Sequence, residues 1–350
     1  MAYISFQPSD NFNTVLFVGN TGGVPTTVTG VGFQPDFCWF KNVSVTNDFW
    51  LFDSVRGVEK YIECNNGQLE TTDVQGLQSF NADGFTVGDA NPINQNTKDI
   101  VSWNWKAGTT TGIAGSPSIT PSSYSFNQTA GFSIIAYTGT GSAATLPHGL
   151  GAAPTMMIIK SRTVTTDWGV YHQYCNAVPE DYTMILNTTA QAADNNVAWN
   201  DTAPTSTLFS VAAGDTNATS KTHVAYCFTD IKGYSKFGKY TGTGSAVDGP
   251  FIYTGFRPAF VMIKSFSGTS QDWKIIDDKR STYNVTAASI AANDTAAEVT
   301  SYNICDFTAN GFKIRSDRNE YNGATSYDYI YAAFAESPFV NSEGVPTNAR

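Results

Sequence analysis

Tyr253-Thr-Gly-Phe-Arg-Pro-Ala-Phe-Val-Met-Ile-Lys264 decides the reading of this chain, because the sequence carries it three times. The second copy is Gly149-Leu-Gly-Ala-Ala-Pro-Thr-Met-Met-Ile-Ile-Lys160, and the first is Gly30-Val-Gly-Phe-Gln-Pro-Asp-Phe-Cys-Trp-Phe-Lys41. Each puts a lysine six residues after a proline: Pro35/Lys41, Pro154/Lys160 and Pro258/Lys264. The run between them is apolar without alternation, which predicts a strand buried on both faces and central in its sheet. The lysine is expected to end that strand by returning the chain to water.

Further blocks recur around it in one order. Thr138-Gly-Thr-Gly-Ser142 and Thr241-Gly-Thr-Gly-Ser245 precede the stretch as glycine turns. A phosphate loop is excluded there, since no Gly-Lys-Thr and no helix start follow. Strands around Phe49–Phe52, Trp168–His172 and Trp273–Asp277 come after it. Asn-Ala-Asp-Gly84-Phe85 and Thr-Ala-Asn-Gly311-Phe312 mark a later turn. The closing strands align as Val101/Trp103/Trp105, Val224/Tyr226/Phe228 and Ile330/Ala332/Phe334, large groups on one face. The prolines are offset by 119 and 104 residues, the scale of an independent domain rather than of a solenoid unit.

The expected fold is therefore all-β: three tandem β-sandwich, jelly-roll-like modules of about 100 residues. Module one spans 1–107, a Gly/Ser/Thr/Pro linker 108–122, module two 123–232, module three 233–336 and a C-terminal tail 337–350. The linker is expected to be flexible or extended, and the tandem array elongated. One short helix is predicted within 286–298.

The 350 residues include 14% charged and 13% aromatic side chains, with a formal net charge of -10. That composition suits aromatic strands with polar turns and argues against a nucleic-acid-binding surface. The N-terminus lacks the basic region and apolar core of a signal peptide, and no run suits membrane insertion. Cys38, Cys64, Cys175, Cys227 and Cys305 are odd in number, without Cys-x-x-Cys spacing, and read as reduced, buried thiols.

Candidate sites are few. Asp53/Arg56 and Asp277/Arg280 share an Asp-x-x-Arg spacing and read as turn-stabilising pairs, with His172 and Cys175 in their place in module two. Tyr327, Tyr329 and Tyr331 lie opposite the core face of their strand and read as candidate surface contacts. Trp103, Trp105, Trp168 and Trp273 read as core. His148, His172 and His223 fall in module two alone and form no metal or triad spacing. Asp294/Glu298 and Asp317/Glu320 lack EF-hand spacing for calcium. No catalytic, metal or cofactor site is expected, and long loops at 57–79, 173–206 and 281–305 are where function would lie.

Taken in order, Tyr-Thr-Gly-Thr-Gly-Ser, Gly-Phe-x-Pro-x-Phe-Val-x-Ile-Lys, Trp-x-x-x-Asp-x-x-Arg, Asn-Gly-Phe and Tyr-x-Ala-Phe-Ala-Glu resemble a repeat of uncharacterised function. That repeat occurs in structural proteins of tailed bacteriophages, often marine, described as tail-fibre or virion proteins. The resemblance covers residues 12–336 and is best in module three. It implies a non-enzymatic virion surface protein made in the host cytoplasm, most simply a tail-fibre or receptor-binding component contacting a host glycan or protein. Its other expected partners are virion proteins, and a homotrimer follows by analogy. The alternatives are a capsid decoration or head-fibre protein and, more remotely, a glycan-degrading enzyme.

Overall fold

The structure, a computed structural model, describes residues 6–20, 24–340 and 345–348. The expected tail at 337–350 falls partly outside them. The described chain is almost all β, with only two four-residue α-helices, Asn91–Asn94 and Asn319–Asn322, and three 3-10 turns. The helix expected within 286–298 is instead a short strand, Ile290–Ala291, and loop. Its backbone is drawn to other partners, with Glu298 N donating to Val43 O at 3.0 Å.

Each repeat builds one large antiparallel sheet in the same order. The opening strands are Phe12–Val18, Phe132–Thr138 and Ser235–Thr241. Next to them lie the closing strands Asp99–Trp105, Thr222–Phe228 and Asp328–Pro338, then the proline–lysine strands Phe37–Asn42, Met156–Ser161 and Phe256–Ser265. The hairpin strands Trp50–Asp53, Gly169–His172 and Lys274–Asp277 follow. Register is the same in all three: Phe37 faces Trp105, Met156 faces Phe228 and Phe260 faces Phe334.

A small sheet accompanies each large one. These are Thr26–Thr29/Gly84–Val87/Leu77–Asn81, Ala144–Pro147/Leu208–Val211 and Phe251–Tyr253/Gly311–Ile314/Cys305–Thr308. Gly84 and Gly311 explain their Asn/Asp-Gly-Phe motif: a Cβ would lie 2.2 Å from Val28 O at the first and 2.0 Å from Ile252 O at the second. Only glycine lets the partner strand approach so closely.

The two-faced burial of the central strand now has its cause. Val261 and Ile263 pack toward the third repeat's own small sheet, with Phe312 and Ile314. Phe260 and Met262 join a cluster to which all three repeats contribute. Met157/Ile159 and Met156/Ile158 divide in the same way, as do Cys38/Phe40 and Phe37/Trp39. The equivalent residues Trp105, Phe228 and Phe334 form a triangle of rings at the centre, with centroids 6.3, 6.0 and 5.5 Å apart. The expected elongated array is thus replaced by three sheets around a common core. Apolar surface drives this: a lone large sheet would leave one aromatic face in water.

The linker segment is hydrogen-bonded to the second repeat. Thr109 and Phe126 exchange backbone hydrogen bonds at 3.0 and 2.9 Å, and Ile119 N donates to Thr145 O at 3.0 Å. Ile119 is buried against the second repeat.

Candidate binding surface

The residues that recur meet at the seams between repeats. Asp53 Oδ2 accepts from Arg56 Nε at 2.5 Å, and Asp277 Oδ2 accepts from Arg280 Nε at 2.6 Å. Both aspartates also accept backbone N–H donors from their own turns. The structure therefore brings each predicted pair together. It adds partners the local spacing does not contain. Tyr226 OH of the second repeat donates to Asp53 at 2.7 Å, and Trp103 Nε1 of the first donates to Asp277 at 3.0 Å.

In the second repeat the equivalent side chain is His172, whose Nε2 lies 3.3 Å from Tyr331 O of the third. The third repeat presents Ala332 where the others present Trp103 and Tyr226, so the acceptor there is a backbone carbonyl. Nδ1 of His172 accepts from Tyr174 N at 3.3 Å, which fixes a neutral Nε2–H ring. Burial lowers its pKa to about 3 despite the favourable backbone contact.

Lys41, Lys160 and Lys264 do not return the chain to water. Each is fully buried and bridges its own repeat to a neighbouring one. Lys41 Nζ donates to Asn47 O at 2.6 Å and to Thr295 O of the third repeat at 2.7 Å. Lys160 Nζ reaches Thr166 Oγ1 at 3.3 Å and Gly67 O of the first repeat at 3.1 Å. Lys264 Nζ reaches Gln271 O and, at 2.8 Å, Thr189 O of the second. Desolvation lowers all three pKa values to about 8. The long loops expected to carry function supply these neighbouring carbonyls. Indole N–H groups use the same seams: Trp168 donates to Glu63 O and Trp273 to Ile185 O, each at 2.9 Å.

Most of the remaining sequence candidates are also internal, whereas Asp294 and Asp317 are exposed. Tyr329 and Tyr331 are buried, and Tyr327 is half-buried. Their strand face is opposite Ile330 and Phe334, as expected, but it packs on the third repeat's small sheet instead of meeting solvent. His148 and His223 are buried, and each ring nitrogen meets a backbone group. The five cysteines are free and buried. Glu298 pairs with Arg280 at 2.7 Å and Glu320 with Arg318 at 3.0 Å. Among the described residues no group of three His, Cys, Asp or Glu side chains is arranged to hold a metal, and no helix is long and apolar enough to cross a membrane.

Two features escaped the sequence reading. One is a buried asparagine in each repeat. Asn94, Asn217 and Asn322 accept from Asn20 N, Thr140 N and Thr243 N at 2.9, 2.8 and 2.6 Å, and so pin the glycine turns. The other is an exposed aromatic pair. Phe251 is 48% and Tyr253 61% exposed, on one face of an edge strand whose middle residue, Ile252, is buried. The paired positions of the first repeat are Thr27 and Thr29. Tyr253 borders a cleft of about 560 Å³ that is lined also by Asp230, Lys236, Thr254 and Phe339. A second cleft, of about 640 Å³, joins the first two repeats beside Asp36 and Lys106. Its buried Asp36 carboxylate is spent on Ser54 Oγ at 2.7 Å and Ala107 N at 2.8 Å.

A family model described as "Domain of unknown function (DUF7483)" matches residues 7–338 in one span. No curated protein matches the chain, and no solved structure does.

Proposed function

The chain belongs to this family of unknown function, and from that premise we propose that it is a non-enzymatic surface protein of a tailed-phage virion, a tail-fibre or receptor-binding component that contacts the host. The observation that carries this reading is the division of labour among side chains. Recurrent polar residues (Asp53, Asp277, Lys41, Lys160, Lys264) are consumed in holding repeats together. The exposed aromatic pair Phe251/Tyr253 belongs to the third repeat alone. A rigid scaffold with recognition confined to its non-repeated surface fits a binding protein better than a catalyst. The bacteriophage resemblance of the repeated motifs supports the virion setting.

On this reading the three repeats are jelly-roll-like modules closed into a ring. In the first, the opening strand pairs with the last and the second with the penultimate, a nested order shared with jelly rolls. The single family match over residues 7–338 supports treating the three as one unit.

The test is adsorption. Purified full-length chain is expected to bind cells of the phage's host and, in excess, to block infection. Absence of both effects overturns the receptor-binding role. The second reading, a capsid decoration, is favoured by the common core in place of a string of spaced units. Immunogold labelling of intact virions separates them, by label on the tail or over the head.

A further inference from the structure

We propose that the cleft beside Tyr253 is a saccharide-binding site, in which the Tyr253 ring stacks on the apolar face of a pyranose and Lys236 and Asp230 bind its hydroxyls. This rests on the host-contact reading above and gives it a ligand class. The fold does not need these aromatic groups: Phe251 and Tyr253 point away from the buried Ile252, and the first repeat forms the same strand with Thr27 and Thr29. The Tyr253 ring borders a cleft of about 560 Å³, and exposed Phe251, two residues away on the same strand face, extends the apolar patch beyond a scattered surface residue. An aromatic body with a hydroxyl tip suits a ligand that is apolar on one face and polar at its edge.

The polar rim completes the match. Asp230 Oδ1 accepts Phe237 N at 2.9 Å, while Oδ2 takes one of the three N–H donors of Lys236. The remaining lysine donors and carboxylate lone pairs suit vicinal hydroxyls. The charged lining of the cleft, Asp230, Lys232 and Lys236, leaves one positive charge, too little to offset the chain's net charge of -10, which disfavours a polyanion such as nucleic acid. Strand addition by a peptide is disfavoured as well. The edge strand is three residues long and follows Pro250, which offers no N–H to a ladder.

Saturation-transfer NMR on the full-length chain tests the site, with the methyl glycosides of glucose, galactose, mannose and N-acetylglucosamine as probes. Polysaccharide released from cells that the chain adsorbs is the fifth probe. At least one is expected to show transfer to its ring protons. Tyr253→Ala should weaken that binding about tenfold, the value of one stacked ring. Thr29→Ala, at the paired position of the first repeat, should leave it unchanged. Unaltered thermal unfolding of Tyr253→Ala certifies the fold. No transfer to any probe, or full binding by folded Tyr253→Ala, overturns the site. If the chain still adsorbs to cells in that case, the host-contact role stands without this cleft. Adsorption abolished by protease treatment of the cells would assign the contact to protein and overturn the saccharide.

Discussion

Trp103 Nε1 donates to Asp277 Oδ2 at 3.0 Å across 174 residues of sequence, and the same carboxylate oxygen holds Arg280 Nε at 2.6 Å. One buried carboxylate thus organises a turn and a seam at once. Asp277→Ala should destabilise the chain by about 3–5 kcal/mol, because it leaves the buried guanidinium with Glu298 as its one carboxylate and the Trp103 indole N–H without an acceptor. Trp103→Phe removes one donor and should cost about 1–3 kcal/mol. The double variant Trp103→Phe/Asp277→Ala should cost clearly less than the sum of the singles. Urea unfolding of the four proteins measures this, and strict additivity would show that the two residues do not act together.

How much of this was legible follows from where each signal lies. The apolar runs Phe37–Phe40 and Phe260–Ile263 announced strands with two buried faces, since a solvated face would alternate. Asp53 and Arg56 are three apart, so their pairing was readable locally. Tyr226, which completes that site, is 173 residues away and left no local trace. Tyr329 and Tyr331 misled for a related reason: alternation places them opposite one core but cannot tell water from a second core. Lys41 misled because its acceptor is a loop carbonyl 254 residues distant. Phe251 and Tyr253 were visible only as a contrast with Thr27 and Thr29, once pairing had aligned the strands.

The buried lysines make stability depend on alkaline pH in an unusual direction. Lys264 is lowered to about 8 in the fold from an ordinary 10.5. Between those values the unfolded chain holds the proton that the folded chain has released, so raising the pH favours folding through this group. Lys264→Met leaves Thr189 O and Gln271 O without their donor and should cost about 1–3 kcal/mol near pH 7. The buried cysteines, whose thiols desolvation pushes up, add an alkaline pH dependence of their own, so the informative quantity is the difference between wild type and variant. That difference should grow from pH 8 to pH 10 in denaturant titrations; a constant difference would contradict a depressed lysine.

Acid should act through histidine. Burial lowers His172 to about 3 and His148 and His223 to about 4, from an ordinary 6.5. Below pH 6.5 the unfolded chain takes up protons that the folded chain refuses, so this stability falls as pH drops toward 4. His172→Gln should flatten the decline between pH 6.5 and 4.5 in chemical unfolding, while costing stability at pH 7 through its seam contact with Tyr331 O. An unchanged slope would mean that His172 is protonated in the fold.

Closure of the ring bears on assembly. Lys41 reaches the third repeat, Lys160 the first and Lys264 the second, so the contact is head-to-tail and returns to its start after three repeats. A heterologous interface that closes leaves no copy of itself to recruit another chain. Within one chain, the three repeats already occupy the places that subunits of a ring trimer would take. Light scattering behind size exclusion should therefore give the mass of a single 350-residue chain at micromolar concentration. A trimer would mean that assembly uses a surface outside these seams. Lys264→Met would then leave the trimer mass intact while lowering the stability of each chain, whereas loss of the trimer with that substitution would show that the seams exchange between chains and that the closed ring is wrong.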